Sequence, residues 1–408
     1  MKNLKIFTED IEDVAREQID NLLSQEAFKD SKIRIMPDVH AGAGCVIGFT
    51  GDLGDKVIPN IVGVDIGCGM RVCKLTNKLD FVLLEKVIRE YVPYGFDCHK
   101  EIVKEFPKLQ DLKCYKKLRN IERIKKSLGT LGGGNHFIEI DEDKLGVQHL
   151  VIHTGSRNLG KQVAEIYQDM ADKSLNYRED EYKTKKREMI ERYKQEGRPR
   201  EIPLMLKELD EEFHQSQNKI PKELAYLEGK QREDYLHDMK ICQEYAVLNR
   251  ETIANTIINE YNKIVVGEKV YICDMFESVH NYISFKDNII RKGAISAQKG
   301  ELVIIPINMR DGCLLGIGKG NEDWNCSAPH GAGRLMGRME ARRTLDLEEY
   351  KKTMENIFST TVNINTIDEA PFAYKPIDEI IANVSDTIEI IDNLKSVFNF
   401  KDDSDGKH

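Results

Sequence analysis

The sequence predicts an α+β protein: a β-rich body interrupted by a helical insertion. Three observations carry this expectation. Short apolar runs alternate with glycines from about residue 30 to 75, the same texture returns after residue 270, and a Lys/Glu-rich stretch of few glycines separates them at about 163–262. With 408 residues the chain can bury a substantial core, as two or three domains or as one large α+β unit.

In chain order, IRIMPDVHAGAGCVIGFTGD and IVGVDIGCGMRVCKL read as short strands joined by tight turns, with polar groups at the strand ends. LGTLGGGNHFIEI and HLVIHTGSRNLG repeat that texture. From 163 to 262 apolar residues recur at three- and four-residue steps, which predicts amphipathic helices, the first broken near Gly197 to Pro203. A self-folding second domain is the alternative, but strand-and-turn texture resumes from about 270 to 335, which favours an insertion. The remainder, LDLEEYKKTMENI through PIDEIIANVSDTIEIIDNLKSVFNFK, reads as mostly helical with a final short strand. No repeat period or low-complexity tract is visible.

Hydrophobic content of 40% and charged content of 32% are those of a globular protein. The opening residues are acidic where a signal peptide needs an apolar stretch, and no apolar run approaches membrane-spanning length, so a cytoplasmic protein without membrane contact is expected. Nine irregularly spaced cysteines with no CxxC pair predict reduced thiols. A net charge of −9 argues against broad, sequence-independent nucleic-acid binding and leaves room for a local basic patch around bound metal.

Five of the ten histidines lie in the glycine-rich segments: His40, His136, His153, His280 and His330. Singly, each reads as a structural turn histidine; as a set, with Asp65 and Cys68 in DIGC, they form a metal-ligand inventory. A thiolate can bridge two ions, and ligand softness points to zinc or iron. Their dispersion matches no local metal motif, and a lone Cys68 in a tight turn would be read as a buried core cysteine. GGGNH and HGAGR can each expose successive backbone N–H groups to an anion, or be structural turns; neither is a Walker A loop or a GxGxxG fingerprint. Arg157, Arg291, Lys292, Arg334 and Arg338 lie in or beside these segments and suit phosphate groups. Metal ligands, nests and guanidinium groups together point to phosphoryl or nucleotidyl chemistry.

In this order, PDVH, GVDIGCGM, GTLGGGNHFIE, HTGSRNLG, HNY, RKGA and HGAGR resemble the RtcB family of RNA-splicing ligases, from about Met36 to Lys401 and least within the helical stretch. The resemblance implies one α+β catalytic domain over 1–408, a β-rich core around a metal-containing cleft, with 163–262 as an appendage. It implies a GTP- and manganese-dependent ligase joining RNA 3′-phosphate or 2′,3′-cyclic phosphate ends to 5′-hydroxyl ends, in RNA repair or tRNA splicing. His330 falls on the nucleophile that becomes guanylylated. Of two manganese ions, one is implied on Cys68, His136 and His153, the other on Asp65, Cys68 and His280. Nucleotide contacts are implied for Asn135, His136, Phe137, Ile138, Glu139, Asn281, Gly331, Ala332, Gly333, Tyr374 and Lys401. Arg157, Arg291, Lys292, Arg334 and Arg338 are the candidates for RNA phosphates, and a monomer is expected.

The chain departs from the family pattern at PINMRDG, residues 306–312, where most members have Pro-Gly-Ser-Met-Gly. Pro306, Ile307, Asn308, Met309 and Cys313 are expected beside the nucleotide, the last near a common serine position, and the bulk of Ile307, Asn308 and Arg310 bears on base selectivity. Pro329 stands where serine usually precedes the nucleophile. Two other readings compete: a metal-dependent phosphodiesterase or phosphatase using water, which would not need His330, and a binding protein for RNA ends that releases no pyrophosphate.

Overall fold

The glycine-punctuated apolar runs do form strands. The computed structural model describes residues 3–9, 11–176, 179–215 and 220–404. Among them the strands are β1 (Leu4–Ile6), β2 (Ile33–His40), β3 (Ile47–Asp52), β4 (Gly69–Leu75), β5 (Phe137–Glu142), β6 (Gln148–Thr154), β7 (Ile272–Val279), β8 (Asn281–Ser284), β9 (Ile289–Lys292), β10 (Ala294–Ser296), β11 (Leu302–Asn308), β12 (Gly312–Gly318), β13 (Ser327–Pro329) and β14 (Ile388–Lys401). The helices are α1 (Asp13–Leu23), α2 (Phe81–Tyr91), α3 (Ile121–Lys126), α4 (Arg157–Asn176), α5 (Glu179–Gln195), α6 (Ile202–Gln215), α7 (Gly229–Ile264), α8 (Arg338–Thr344), α9 (Leu347–Thr353) and α10 (Ile377–Val384).

Seven strands form one antiparallel sheet in the order β11-β12-β14-β5-β6-β4-β7, and five form a second, β1-β2-β3-β9-β8; β10 and β13 pair as a ribbon. Period-two alternation gives the large sheet two unlike faces. Ile138, Ile140, Leu150 and Ile152 pack with Val87 and Ile88 of α2 and Ile253 and Ile257 of α7, each side chain stabilising by about 1.5–3 kcal/mol on full burial. The opposite face carries Phe137, Glu139 and His153 to the cleft and buries Asp141 beyond it, and Phe137 lies opposite His153 on one side and Lys401 on the other.

The expected appendage is two different things. Helices α5 and α6 are the outer pair, broken where predicted by a 3-10 turn at Pro199–Glu201, and Leu204 stays 60% exposed. Helices α4 and α7 are built into the core, with Val163, Tyr167, Tyr235 and Tyr245 buried. The stretches 177–178 and 216–219 of this region lie outside the described residues. Helix α7 also fastens the loops that carry the site. Buried Arg250 donates to the carbonyls of Gly67 (2.8 Å) and Thr154 (2.7 Å), and Asn249 accepts from Gly129 N–H (2.7 Å) and donates to Gly155 O (3.2 Å).

The final strand is not short. β14 has 14 residues and joins the two halves of the large sheet, between β12 and β5. Its Ile388, Ile391 and Leu394 have the three-residue spacing that suggested helix, and two register shifts along its edges further obscure the alternation. Among the described residues no helix is long and apolar enough to cross a membrane.

Candidate active site

The DIGC turn follows a short 3-10 turn and opens β4. Gly67 holds a positive φ of 77° against α7, where an added Cβ would meet the Ala246 methyl at 2.9 Å. This turn aims Asp65 and Cys68 at the end of β6. Gly155, in HTGS, must also be glycine, since a Cβ there would lie 2.3 Å from Asp65 Oδ1; its neighbour Ser156 donates its N–H to that oxygen at 3.0 Å.

Three imidazoles converge on Cys68. His153 Nε2 lies 3.3 Å and His136 Nε2 3.6 Å from its Sγ; His136 Nε2 is 3.0 Å from Asp65 Oδ2, and the Nε2 atoms of His153 and His280 are 3.4 Å apart. The Nδ1 atoms of His136 and His153 sit against the carbonyls of Leu131 (2.9 Å) and Asn135 (3.0 Å). Donating Nδ1–H to a carbonyl leaves the Nε2 lone pair facing the thiol, the usual preparation of a metal ligand. Burial holds His153 and His280 well below the ordinary histidine range, which keeps both rings neutral. Burial and then Asp65 push the Cys68 thiol well up. Burial would also raise Asp65, but His136 and Arg157 bring it below its ordinary value. One carboxylate, one thiol and three imidazoles form a donor set of transition-metal type, with Cys68 common to both of its close groups. The closest donor groups are Cys68–His153–His280 and Asp65–Cys68–His136, so the same five residues converge while His136 and His280 exchange places relative to the implied sets.

His330 reaches this centre through the β10–β13 ribbon. Pro329 pairs with Ala294, and the His280 carbonyl accepts from Gly293 N–H at 2.8 Å, which brings the rings of His280 and His330 to 5.0 Å between centroids. Nδ1 of His330 lies 2.7 Å from Oδ2 of buried Asp38, which also accepts the His330 backbone N–H at 3.2 Å. With Nδ1–H committed to the carboxylate, Nε2 is the nitrogen with a free lone pair. Asp38 was missed by sequence reasoning although it stands in PDVH, where attention went to His40; His40 bonds the Asp38 carbonyl at 3.0 Å and lines the cavity.

A cavity of about 350 Å³ runs from His153, His280 and His330 to a second polar end. There buried Glu369 accepts from Lys401 (2.6 Å) and Tyr374 (2.9 Å) and pairs with Arg338 (2.5 Å) and Arg334 (3.4 Å). Burial would raise its carboxyl, but Lys401, Arg338 and Arg334 outweigh this and lower it to about 2. Glu369 carried no sequence signal, since a single glutamate in TIDEAPFAYK has no spacing that marks it.

The family model described as tRNA-splicing ligase RtcB matches residues 18–113 and 94–402. The chain belongs to the RtcB family. It is 29% identical to the RNA-splicing ligase RtcB of Escherichia coli K12, over 95% of this chain and 94% of that protein. It is 26% identical to the tRNA-splicing ligase RtcB of Nanoarchaeum equitans, over 85% of this chain and 83% of that one, and 25% identical to the Archaeoglobus fulgidus protein of the same name, over 91% and 87%.

Among the residues expected in an RtcB nucleotide pocket, the cavity is lined by Asn135, Phe137, Glu139, Pro306, Ile307, Asn308, Met309, Gly331, Ala332, Gly333, Tyr374 and Lys401. Four expected contacts lie outside this lining, His136 among them, since it sits in the donor cluster. Ile138 points to the helix-covered face, as alternation along β5 demands. Cys313 is wholly buried behind the cavity wall beside Asp141. Asn281 is outside the lining, its side-chain oxygen taken by Gly293 N–H at 3.0 Å. Arg310 turns outward to Asp311 and Thr353, which leaves Ile307 and Asn308 as the bulk facing inward.

The basic candidates separate in the same way. Arg291 is fully buried and pairs with Asp287 at 2.7 Å, and buried Lys292 donates to the carbonyls of Ala43, Cys45 and Asn60, so both serve the fold and not an RNA surface. Arg334 and Arg338 are engaged by Glu369 and Asp368. Arg157 stays beside the metal ligands, 3.2 Å from Thr130 Oγ1 and 3.5 Å from His136 Nδ1.

Proposed function

We propose that the chain is an RNA ligase that uses GTP and two manganese ions to join a 3′-phosphate or 2′,3′-cyclic phosphate end to a 5′-hydroxyl end, in RNA repair or tRNA splicing. The observation that supports this reading is the Asp38–His330 pair beside the five converging metal donors, at one end of a cavity of nucleotide size.

In this reading Asp65, Cys68, His136, His153 and His280 hold the manganese, which supplies Lewis-acid stabilisation of charge on phosphate oxygens. Asp38 fixes the His330 ring and the tautomer that leaves Nε2 as nucleophile. Nε2 attacks the α-phosphorus of GTP, the bond to pyrophosphate breaks, and a guanylyl-histidine forms. Backbone N–H groups of Gly331 to Gly333, which line the cavity beside His330, would share the phosphate charge, and Glu139, Tyr374 and Lys401 would receive the base. GMP then passes to an oxygen of the RNA 3′-phosphate and frees His330. The 5′-hydroxyl oxygen attacks the activated phosphorus, GMP leaves, and a 3′,5′-phosphodiester remains; a cyclic phosphate is first opened by water to the 3′-monophosphate. Arg157 is the basic group nearest the reacting end that is left to steady an RNA phosphate.

The test is incubation with manganese and α-labelled GTP, beside the other nucleotides and the His330→Ala variant. Acid-labile label from GTP, absent in the variant, is expected. Label from another nucleotide would move base selectivity to Ile307 and Asn308. Phosphate release from RNA ends that survives His330→Ala would overturn the ligase in favour of a hydrolase.

A further inference from the structure

Behind the cavity wall lies a second cluster of metal-ligand type, separate from the five donors, of which only Glu139 also lines the cavity. Glu139, Asp141 and Cys313 bring two carboxylates and a sulfur within 4.8 Å of one another, all buried. The sheet register explains the meeting. Glu139 and Asp141 are two apart on β5 and so share a face; Asn399 and Ser396 of β14 lie opposite them, and Cys313 comes from β12, the next strand.

What sets this cluster apart is that its acceptors outnumber its donors. Neither carboxylate oxygen of Asp141, which is 0% exposed, meets a partner in hydrogen-bond geometry, nor does Asn399 Oδ1, and the Ser396 hydroxyl, which could donate, makes no bond either. Asn399 spends its amide hydrogens on Glu139. Lys401, the nearest cation, is committed to Glu369 at 2.6 Å. Buried acceptors without donors are costly, and buried carboxylates are found paired or on metals. Burial raises the carboxyls of both Glu139 and Asp141, so the pair holds a proton when nothing else is bound, and a cation would complete the set by taking that proton's place.

The geometry points to a divalent cation site formed by Glu139, Asp141 and Cys313, of the zinc class because a thiolate joins two carboxylates. On binding, the Cys313 thiol and the Glu139–Asp141 pair give up their protons to solvent, and the sulfur and the carboxylate oxygens take the cation. Asp141 supplies the oxygens that otherwise have no partner. Glu139 also borders the cavity, so the ion braces the wall on which a nucleotide would rest without touching the reacting phosphates.

The experiment uses the full chain carrying Cys68→Ala and His153→Ala, which dismantles the five-donor centre, and counts bound zinc and cobalt by equilibrium dialysis with elemental analysis. One ion per chain is expected, with a cobalt–thiolate charge-transfer band and a zinc-dependent rise in Tm. Adding Cys313→Ala should abolish the band and the Tm rise, and Asp141→Asn should weaken binding at least tenfold; Cys273→Ala, at an exposed thiol, should change neither. No ion bound in the doubly substituted chain, or an ion and band that survive Cys313→Ala, would overturn the site. Because the count needs neither GTP nor RNA, it stands or falls independently of the ligase reading.

Discussion

The two ends of the cavity are built on opposite electrostatic plans. At the histidine end, Asp65, Cys68, His136, His153 and His280 bring their lone pairs together, and the chain's own cations, Arg157 and Arg250, stand at the margin and bond loop groups around the donors. At the far end, Glu369 is surrounded by Lys401, Arg334, Arg338 and the Tyr374 hydroxyl, so its charge is answered from within. In the proposed function the first end is completed by ions from outside, whereas the second balances its charges within the chain. On that reading the comparison teaches that one cavity divides labour: borrowed charge where bonds would be made and broken, internal charge where a ligand would only be held.

The largest test of this division is His330→Ala, which should lower covalent labelling by about 10⁵-fold or more, to background, with bound manganese unchanged. Asp38→Asn should follow: an amide can present its NH₂ to Nδ1 and favour the wrong tautomer, so labelling should fall by about 10²- to 10⁴-fold while GTP affinity holds. Equal loss of affinity and rate would contradict an orienting role. Cys68→Ala removes the sulfur common to both donor groups and should weaken manganese binding by more than about 100-fold, read by dialysis, with Tm in chelator little changed.

At the other end the effect should fall on binding and stability. Glu369→Gln leaves buried Lys401 without its counter-charge, costing about 3–5 kcal/mol and raising the KM for GTP more than it lowers kcat. The sign with pH is fixed by the depressed carboxyl. Its contribution is full above the ordinary value of 4.5 and lost as pH falls towards about 2, so the stability gap between parent and variant should close over that interval. A gap that widens with acid would mean that Glu369 is not held ionised. Smallest of all, Leu204→Ser on the outer helix pair should shift stability by no more than about 0.5 kcal/mol and leave labelling intact.

Much of the histidine end was legible in sequence because its parts sit in turns, where glycine and proline leave a local trace. Cys68, His136, His153, His280 and His330 each stand beside a glycine-rich or strand-end signal; singly each has a bland structural role there, and it was their recurrence as a set that carried the metal reading. The far end was less legible: Tyr374 and Lys401 came only through resemblance, and Glu369 and Asp38 came not at all, since carboxylates are common and their spacing carries no period. Arg291 and Lys292 misled for the converse reason, because a basic dipeptide in a glycine-rich segment reads as surface until its burial is known.

By itself the sequence determined the alternation of strand and helix, the break near Gly197 and the inventory of metal-type ligands, all set by periods and turn residues within short reach along the chain. Only the tertiary structure decided that α7 staples the site loops, that β14 is the long strand joining the two halves of the sheet, and that Asp38, Glu369 and Asp141 meet their neighbours. Each depends on contacts between residues far apart in the chain, where burial and register choose the partners and local preference has no say.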